Sequence, residues 1–241
     1  TLTLPSAFVY EGSGTVVPFT FDGHKPEVDG SIDGVAGKFG LDTGSRGTLD
    51  LHVPFVKKHD LEVHFDQGPE CVTGWGVGGP VRSMVTRAKT LRLGTVEVRD
   101  VIIEISRQKK GSFTSPYAAG NVGAGVLKRF NLIFNYEAQT VIFEPNAHHG
   151  APDVFDRSGM WVNLAQGALA VMDVTAGGPA EEAGLRTGDR ILAVDGQEAP
   201  QVSLPALRQR FRTEPPGTRI LLLVEREGAT REVTLVLRDL V

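Results

Sequence analysis

The stretch Phe39-Gly40-Leu41-Asp42-Thr43-Gly44-Ser45 carries an apolar run directly into an acid and a tight turn. A carboxylate at the end of a buried strand is costly, because an unpaired charge loses its hydration there. Gly44 allows the backbone to turn straight after the acid, and the hydroxyls of Thr43 and Ser45 can hydrogen-bond the acid or its surroundings. Two interpretations are open at this point: one half of a catalytic site, or an Asp-initiated turn of a β protein.

Length and composition limit the classes of protein to consider. With 241 residues, the chain has room for one large or two small domains, at roughly 100–200 residues per domain. Hydrophobic residues make up 41%, and 29 Gly and 14 Pro indicate a globular chain with many turns. A net charge of −4 gives no electrostatic reason to expect nucleic acid or an anionic membrane as partner. No apolar segment approaches the roughly 18 residues of a membrane span, so none is expected.

The inventory of metal-binding side chains argues against a metal centre or cofactor. Cys71 is the only cysteine, so neither an intrachain disulfide nor a cysteine metal cluster can form. His148 and His149 are adjacent but have no third ligand at a suitable spacing, and an exposed linker is the better interpretation. No basic-then-apolar leader opens the chain, so a chain that begins at Thr1 fits either a removed leader or an engineered fragment.

Short apolar runs separated by Gly, Asp and Pro indicate an all-β first half, from Thr15 to about Phe143. Asp-Gly pairs such as Asp33-Gly34 predict hairpins, and a short helix is expected to begin at Pro54. The segment 74–79 matches GxGxxG literally, but a dinucleotide loop should open a helix, whereas here a strand follows. A mobile hairpin tip is the better interpretation.

Several motifs in order resemble the retropepsin-like aspartic peptidases: the Asp42-Thr43-Gly44 triplet, the glycine-rich hairpin, Val122-Gly123 before a short helix, and a hairpin over 135–143. The resemblance covers roughly residues 15–145. It implies an acid-protease β-barrel in which Asp42 is the catalytic acid and Thr43, Gly44 and Ser45 support it. It also implies a substrate-binding flap formed by Trp75, Gly76, Val77 and Gly78.

Aspartic peptidases need two carboxylates that share one proton, one acting as base and the other as acid. This sequence contains one Asp-Thr-Gly triplet, so the resemblance implies a homodimer that brings together two copies of Asp42. The chain departs from the family pattern at Arg46 and Ala124, where viral members often carry an acid and an arginine that brace the dimer. Asn121 likewise replaces an apolar residue.

A composition rich in turn formers over 144–152 places the domain boundary there, giving domains 1–150 and 151–241. The segment 178–196 resembles a PDZ domain of the bacterial protease type, a small β-barrel with two helices. The resemblance assigns peptide binding to two groups of residues: a carboxylate-binding loop and edge strand (Gly159, Met160, Trp161, Val162) and a facing helix wall (Leu204, Leu207, Arg208, Phe211). Trp161 stands where the family usually has a small residue, and a PDZ domain that serves only as a spacer is the alternative.

The resemblances together imply an aspartic endopeptidase of protein or peptide substrates, with the PDZ domain recruiting substrate or regulating, in a bacterial periplasm or cell envelope. The alternative is a catalytically inactive peptide-binding adaptor, which Arg46 and Ala124 favour. A serine hydrolase is not expected, because Gly44-Ser45-Arg46-Gly47 is not a GxSxG elbow.

Overall fold

The computed structural model of the protein describes residues 8–76 and 78–241, so Val77 of the predicted flap lies outside the described residues. Its contacts divide the chain into two compact units. The first runs up to Asp66 and continues over 86–153, and the second joins 67–85 to 154–241. The predicted domains, 1–150 and 151–241, are two continuous segments and place residues 67–85 in the first domain. This division stays a prediction.

The first unit consists mainly of strands with three short α-helices. Its elements, together with the hairpin strands β6 and β7, are β1 (Thr15–Pro18), β2 (Thr20–Asp22), β3 (Lys25–Ile32), β4 (Val35–Leu41), β5 (Leu49–Leu51), α1 (Val53–Lys58), α2 (Leu61–His64), β6 (Glu70–Gly76), β7 (Gly79–Leu93), β8 (Val96–Ser106), a 3-10 turn (Ser112–Thr114), β9 (Gly120–Val122), α3 (Ala124–Leu127), β10 (Phe130–Asn135) and β11 (Thr140–Pro145).

Two sheets organise these strands. The smaller has the order β1-β11-β10, and the larger has the order β2-β3-β4-β9-β5-β8-β7-β6. The Asp33-Gly34 hairpin forms as predicted between β3 and β4, with φ of 46° and 86° at its two central residues. In the larger sheet β9 runs parallel to β4 and antiparallel to β5, so the end of β4 at Leu41 lies beside Val122.

Close approach of backbones explains a glycine at the start of β9. A Cβ atom on Gly120 would lie 2.2 Å from the carbonyl oxygen of Asp50, a distance that no side chain tolerates. This pairing places Asp50 opposite Asn121. On its other side β5 runs parallel to β8, with Asp50 opposite Glu104.

The second unit contains the hairpin β6–β7 over 70–84 and a sheet with the order β12-β13-β14-β16-β17, in which β15 pairs with β14. Its remaining elements are β12 (Met160–Ala165), β13 (Ala168–Val174), α4 (Pro179–Glu182), β14 (Arg190–Val194), β15 (Gln197–Glu198), a 3-10 turn (Ala199–Gln201), α5 (Leu204–Thr213), β16 (Arg219–Arg226) and β17 (Ala229–Val236). Ser203 caps α5 by accepting a hydrogen bond from the Ala206 N–H.

The glycine-rich segment forms a hairpin, since β7 begins at Gly79 directly after the tip. The strand that the sequence predicted after this segment is therefore present, whereas a dinucleotide loop would be followed by a helix. Within residues 8–76 and 78–241, none of the helices has the length and apolar character needed to cross a membrane.

Candidate active site and peptide groove

Asp42 follows the last residue of β4, and its own turn binds its carboxylate. The N–H groups of Gly44 and Ser45 donate to Asp42 Oδ1 over 2.9 and 3.2 Å. The Ser45 N–H also approaches the Asp42 carbonyl oxygen at 3.2 Å. Asp42 is half-buried, while Thr43 and Gly44 are exposed. The turn therefore orients the acid and leaves its tip accessible.

The segment after β9 braces this turn through backbone hydrogen bonds. The Asp42 N–H donates to the Val122 carbonyl over 2.9 Å, and the Ala124 N–H donates to the Ser45 carbonyl over 2.9 Å. A Cβ atom on Gly123 would lie 2.5 Å from the Gly47 carbonyl oxygen, so only glycine allows this approach. Asp42 and Val122-Gly123, which the sequence separates widely, are thus joined by backbone hydrogen bonds.

Two further acids, Asp50 and Glu104, lie buried beside this turn. Both side chains are buried, with residue exposures of 6% and 5%. A Cβ atom on Gly47 would lie 3.0 Å from Glu104 Oε1 and 3.6 Å from Asp50 Oδ2, so the turn packs directly on the pair. Burial raises the pKa of Asp50 well above its ordinary value, and the charge and hydrogen bond of Glu104 and the charge of Asp42 raise it further.

The sequence interpretation did not include this pair. The signal available was an acid flanked by leucines in Leu49-Asp50-Leu51 and an acid inside the apolar run of β8. Each acid alone fits an exposed alternate position of a strand. Only the parallel register of β5 and β8 brings the two side chains together.

Asp153 connects the end of the first unit to the Asp42 turn through Thr48. Its carboxylate accepts hydrogen bonds from Thr48 Oγ1 (3.0 Å) and from the Ile102 N–H (2.9 Å). The buried guanidinium of Arg129 lies 3.8 Å from Asp153 Oδ2, and each of these two side chains is only 5% exposed. Thr48 in turn accepts the Gly123 N–H through its carbonyl.

The three departures from the peptidase pattern have distinct positions. Asn121 is buried, and its Oδ1 accepts a hydrogen bond from Lys25 Nζ over 2.7 Å, which satisfies the amide in a site usually filled by an apolar side chain. Arg46 is exposed and Ala124 is half-buried. None of these positions removes a hydrogen bond from the Asp42 turn.

The predicted flap residues Trp75, Gly76 and Gly78 lie at the exposed end of the β6–β7 hairpin, with Trp75 44% exposed. The base of the hairpin is anchored within the second unit. Asp173 in β13 accepts the Val72 N–H over 3.2 Å and binds Arg82 Nη1 over 2.5 Å. The sequence interpretation missed this anchor, because nothing local marks Asp173 as a partner of the hairpin.

The loop before β12 packs closely on the start of α4. Gly159 has φ of 68°, and a Cβ atom there would lie 3.1 Å from Pro179 Cδ. The Thr175 N–H donates to the Gly159 carbonyl over 2.8 Å. Met160 and Val162 are buried, whereas Trp161 is half-buried beside a register shift in the β12–β13 ladder.

The predicted helix wall divides into core and surface members. Leu207 and Phe211 are 2% and 1% exposed and belong to the core of the second unit. Leu204 and Arg208 are half-buried, so these two retain surface for a ligand. Arg208 Nη2 donates to the Val162 carbonyl over 2.6 Å and to Asn163 Oδ1 over 2.9 Å.

The second unit has a strand order, a Gly159 loop before β12 and a helix α5 beside β12 that together allow its family to be assigned. Residues 171–226 match the family model of the PDZ domain. The predicted fold class is therefore confirmed: the chain is mainly β and contains a PDZ domain. In the described parts of the chain no group of His, Cys, Asp and Glu side chains is suited to hold a metal ion.

Two curated relatives are similar to this chain over its PDZ region. The "probable periplasmic serine endoprotease DegP-like" of Chlamydia trachomatis serovar D is 46% identical over 74 residues, which cover 31% of this chain. The match takes in only 14% of that relative's length and falls on the PDZ region. A relative of the same name from Chlamydia muridarum is 45% identical over 74 residues, with the same shares of the two chains.

Among solved structures, the retropepsin-like aspartic protease from Rickettsia conorii aligns with 13% identity and a TM-score of 0.38, covering 56% of this chain and 97% of its own. The serine endoprotease from Yersinia pestis aligns with 14% identity and a TM-score of 0.35, covering 94% and 85% of the two chains.

Proposed function

We propose that the protein is an aspartic endopeptidase that is active as a homodimer, in which two copies of Asp42 activate a water molecule for attack on a peptide bond. Each copy contributes one carboxylate, and the pair shares one proton, so one acid acts as base and the other protonates the carbonyl oxygen. The products are a carboxylic acid and an amine. This chemistry uses no metal and no cofactor.

One observation carries the proposal: the Asp42 carboxylate accepts two backbone N–H groups of its own turn, and that turn is braced by Val122-Gly123-Ala124. Backbone N–H groups that belong to the same tight turn hold the carboxylate in one orientation. Thr43 and Gly44 remain exposed beside it, so a second copy of the turn has access to the acid.

The PDZ domain gives the second part of the proposal, recruitment of protein substrate or regulation by peptide. PDZ domains bind extended peptides by adding a strand to an exposed sheet edge. The hairpin with Trp75, Gly76, Val77 and Gly78 is proposed as the flap. Its anchor on Asp173 belongs to β13, which pairs with the edge strand β12, and this gives peptide binding a physical route to the hairpin. The name of the Chlamydia trachomatis relative supports a periplasmic location.

The decisive experiment replaces the proposed catalytic acid. Asp42→Asn should abolish cleavage of an unfolded protein such as casein at mildly acidic pH, while circular dichroism and thermal unfolding stay close to those of the wild type. Asp66→Asn is the matched control, because Asp66 is an exposed acid in a loop of the same unit. Cleavage retained by purified Asp42→Asn protein would refute the assignment.

Mixing the inactive variant with wild type tests the dimer separately. If subunits exchange freely, equal amounts of the two chains put about half of the wild-type subunits into mixed dimers. Activity per wild-type chain should fall to about half if one Asp42 is insufficient. Unchanged activity per wild-type chain would show that a single copy cuts alone.

The adaptor function is favoured by one observation, the absence of the bracing acid and arginine at Arg46 and Ala124. An adaptor would bind peptide through its PDZ domain but cleave nothing. Sedimentation combined with the cleavage assay across pH distinguishes the two functions. A dimer that binds peptide but has no activity at any pH would favour the adaptor.

A further inference from the structure

The open edge of β12 presents the backbone groups of Val162. In the β12–β13 ladder, Val162 lies opposite Val171. The Val171 N–H donates to the Asp189 carbonyl and the Val171 carbonyl accepts the Gly188 N–H, both over 2.9 Å. Val162 and Val171 are therefore a non-hydrogen-bonded pair, and both backbone groups of Val162 point away from β13. A peptide added to this edge would use that carbonyl.

Arg208 already donates a hydrogen bond to the Val162 carbonyl. Its Nη2 lies 2.6 Å from the Val162 oxygen and 2.9 Å from Asn163 Oδ1. The guanidinium carbon lies 4.8 Å from the centre of the Trp161 ring, and Trp161 Nε1 donates to the same Asn163 oxygen over 3.1 Å. Three groups thus contact the guanidinium across the edge strand: the Val162 carbonyl, the Asn163 amide oxygen and the face of the Trp161 ring.

A ligand strand must compete with this arrangement. A ligand that takes the Val162 carbonyl removes one hydrogen bond from a partly buried cation, and a lost hydrogen bond to a charged group is expensive. A carboxylate can accept two parallel N–H groups of a guanidinium in a fork geometry, which a single neutral carbonyl oxygen cannot do. An acidic side chain on the ligand would therefore release the carbonyl and bind the displaced cation in one step.

From this geometry we infer that the PDZ groove selects extended peptides that carry an Asp or Glu side chain at the residue brought next to Arg208. The inference rests on the proposed peptide binding and specifies its ligand class. Arg208 is the residue that determines specificity, and Trp161, which stands where a small residue is usual, positions it. A peptide with a neutral side chain at that place must displace the guanidinium without replacing its acceptors.

The test uses the full chain and fluorescein-labelled decapeptides in pairs that differ only by Glu or Gln at one scanned position, with fluorescence polarisation as readout. At one position the Glu peptide should bind wild type about tenfold more tightly than its Gln twin, and added salt should reduce this ratio. Arg208→Gln should remove the ratio, and Arg208→Glu should favour Lys over Gln. Arg210→Gln is the control, because Arg210 lies on the same helix but pairs with Glu214 and Asp195.

The outcomes separate the inference from the function on which it rests. Peptides that bind wild type equally well with Glu and Gln at every position would overturn the inference and leave peptide binding intact. Binding by Arg208→Gln alone would also overturn it, since Arg208 would then only obstruct the groove. If no peptide binds either protein, proposed peptide binding itself fails. Thermal unfolding of each variant shows whether its PDZ domain is folded.

Discussion

Replacing Asp153 by alanine tests how much this one buried carboxylate, which binds Thr48 beside the Asp42 turn, contributes to the stability of the first unit. The change removes the acceptor of Thr48 Oγ1 and of the Ile102 N–H. It also leaves the Arg129 guanidinium, 5% exposed, without the carboxylate 3.8 Å away. Breaking a buried ion pair by removing one partner typically costs about 3–5 kcal/mol. Because Arg129 Nε keeps its bond to the Gly125 carbonyl, we expect a loss near the lower end, about 3 kcal/mol.

The assay is urea unfolding followed by far-UV circular dichroism, with tryptophan fluorescence recorded in parallel. Both tryptophans, Trp75 and Trp161, belong to the second unit, so fluorescence reports that unit while circular dichroism reports both. Asp100→Asn is the matched control, since Asp100 is 72% exposed and binds Arg87 at the surface, and asparagine tolerates the positive φ of 52° at this position. Surface pairs contribute about 0–1 kcal/mol. An Asp153→Ala protein no less stable than Asp100→Asn would refute the reasoning.

Two further predictions concern the buried acids and the hairpin. Burial and the neighbouring Glu104 raise the pKa of Asp50, so the folded protein keeps Asp50 protonated at pH values where unfolded carboxyls are ionised. Stability should therefore fall as pH rises from about 4 through the raised pKa and then level off. Asp50→Asn should flatten that fall in urea titrations between pH 4.5 and 7.5, and parallel curves for the two proteins would contradict the raised pKa of Asp50. Asp173→Asn should loosen the hairpin anchor, giving faster amide exchange at Val72 than in wild type. Exchange at the PDZ core residue Val224 should be unchanged in this variant, and equal rates at Val72 in both proteins would show that Asp173 does not hold the hairpin.

Local sequence patterns predicted the features whose physics is local. Asp33-Gly34 formed its hairpin because both residues tolerate positive φ, and the short helix α1 begins within one residue of Pro54 because proline fits the first turn of a helix. The long PDZ motif over 178–196 identified the second unit before its strands were known. The Asp42 turn could likewise be predicted from the sequence, because the hydrogen bonds from the Gly44 and Ser45 N–H groups to Asp42 span only two and three residues.

For the helix wall of the PDZ domain, the sequence pattern predicted the members but not which of them are exposed to solvent. Helical spacing groups Leu204, Leu207, Arg208 and Phe211 on neighbouring positions of α5, but it does not tell which of them reach solvent. Packing buries Leu207 and Phe211 in the core and leaves Arg208 at the surface against β12. The sequence interpretation named Arg208 as one member of the helix wall, but it did not predict that this cation contacts the backbone of β12.

By itself, the sequence determined that the chain is mainly β, that its second half contains a PDZ domain, and that one acid sits in a tight glycine turn. Only the tertiary structure decided what surrounds that acid. Thr48 and Asp153 meet across 105 positions, and Arg208 and Val162 across 46. Asp50 meets Glu104 through a parallel register. Such contacts depend on strand order and register, which arise from burying whole faces of a sheet, and no local run of residues encodes them.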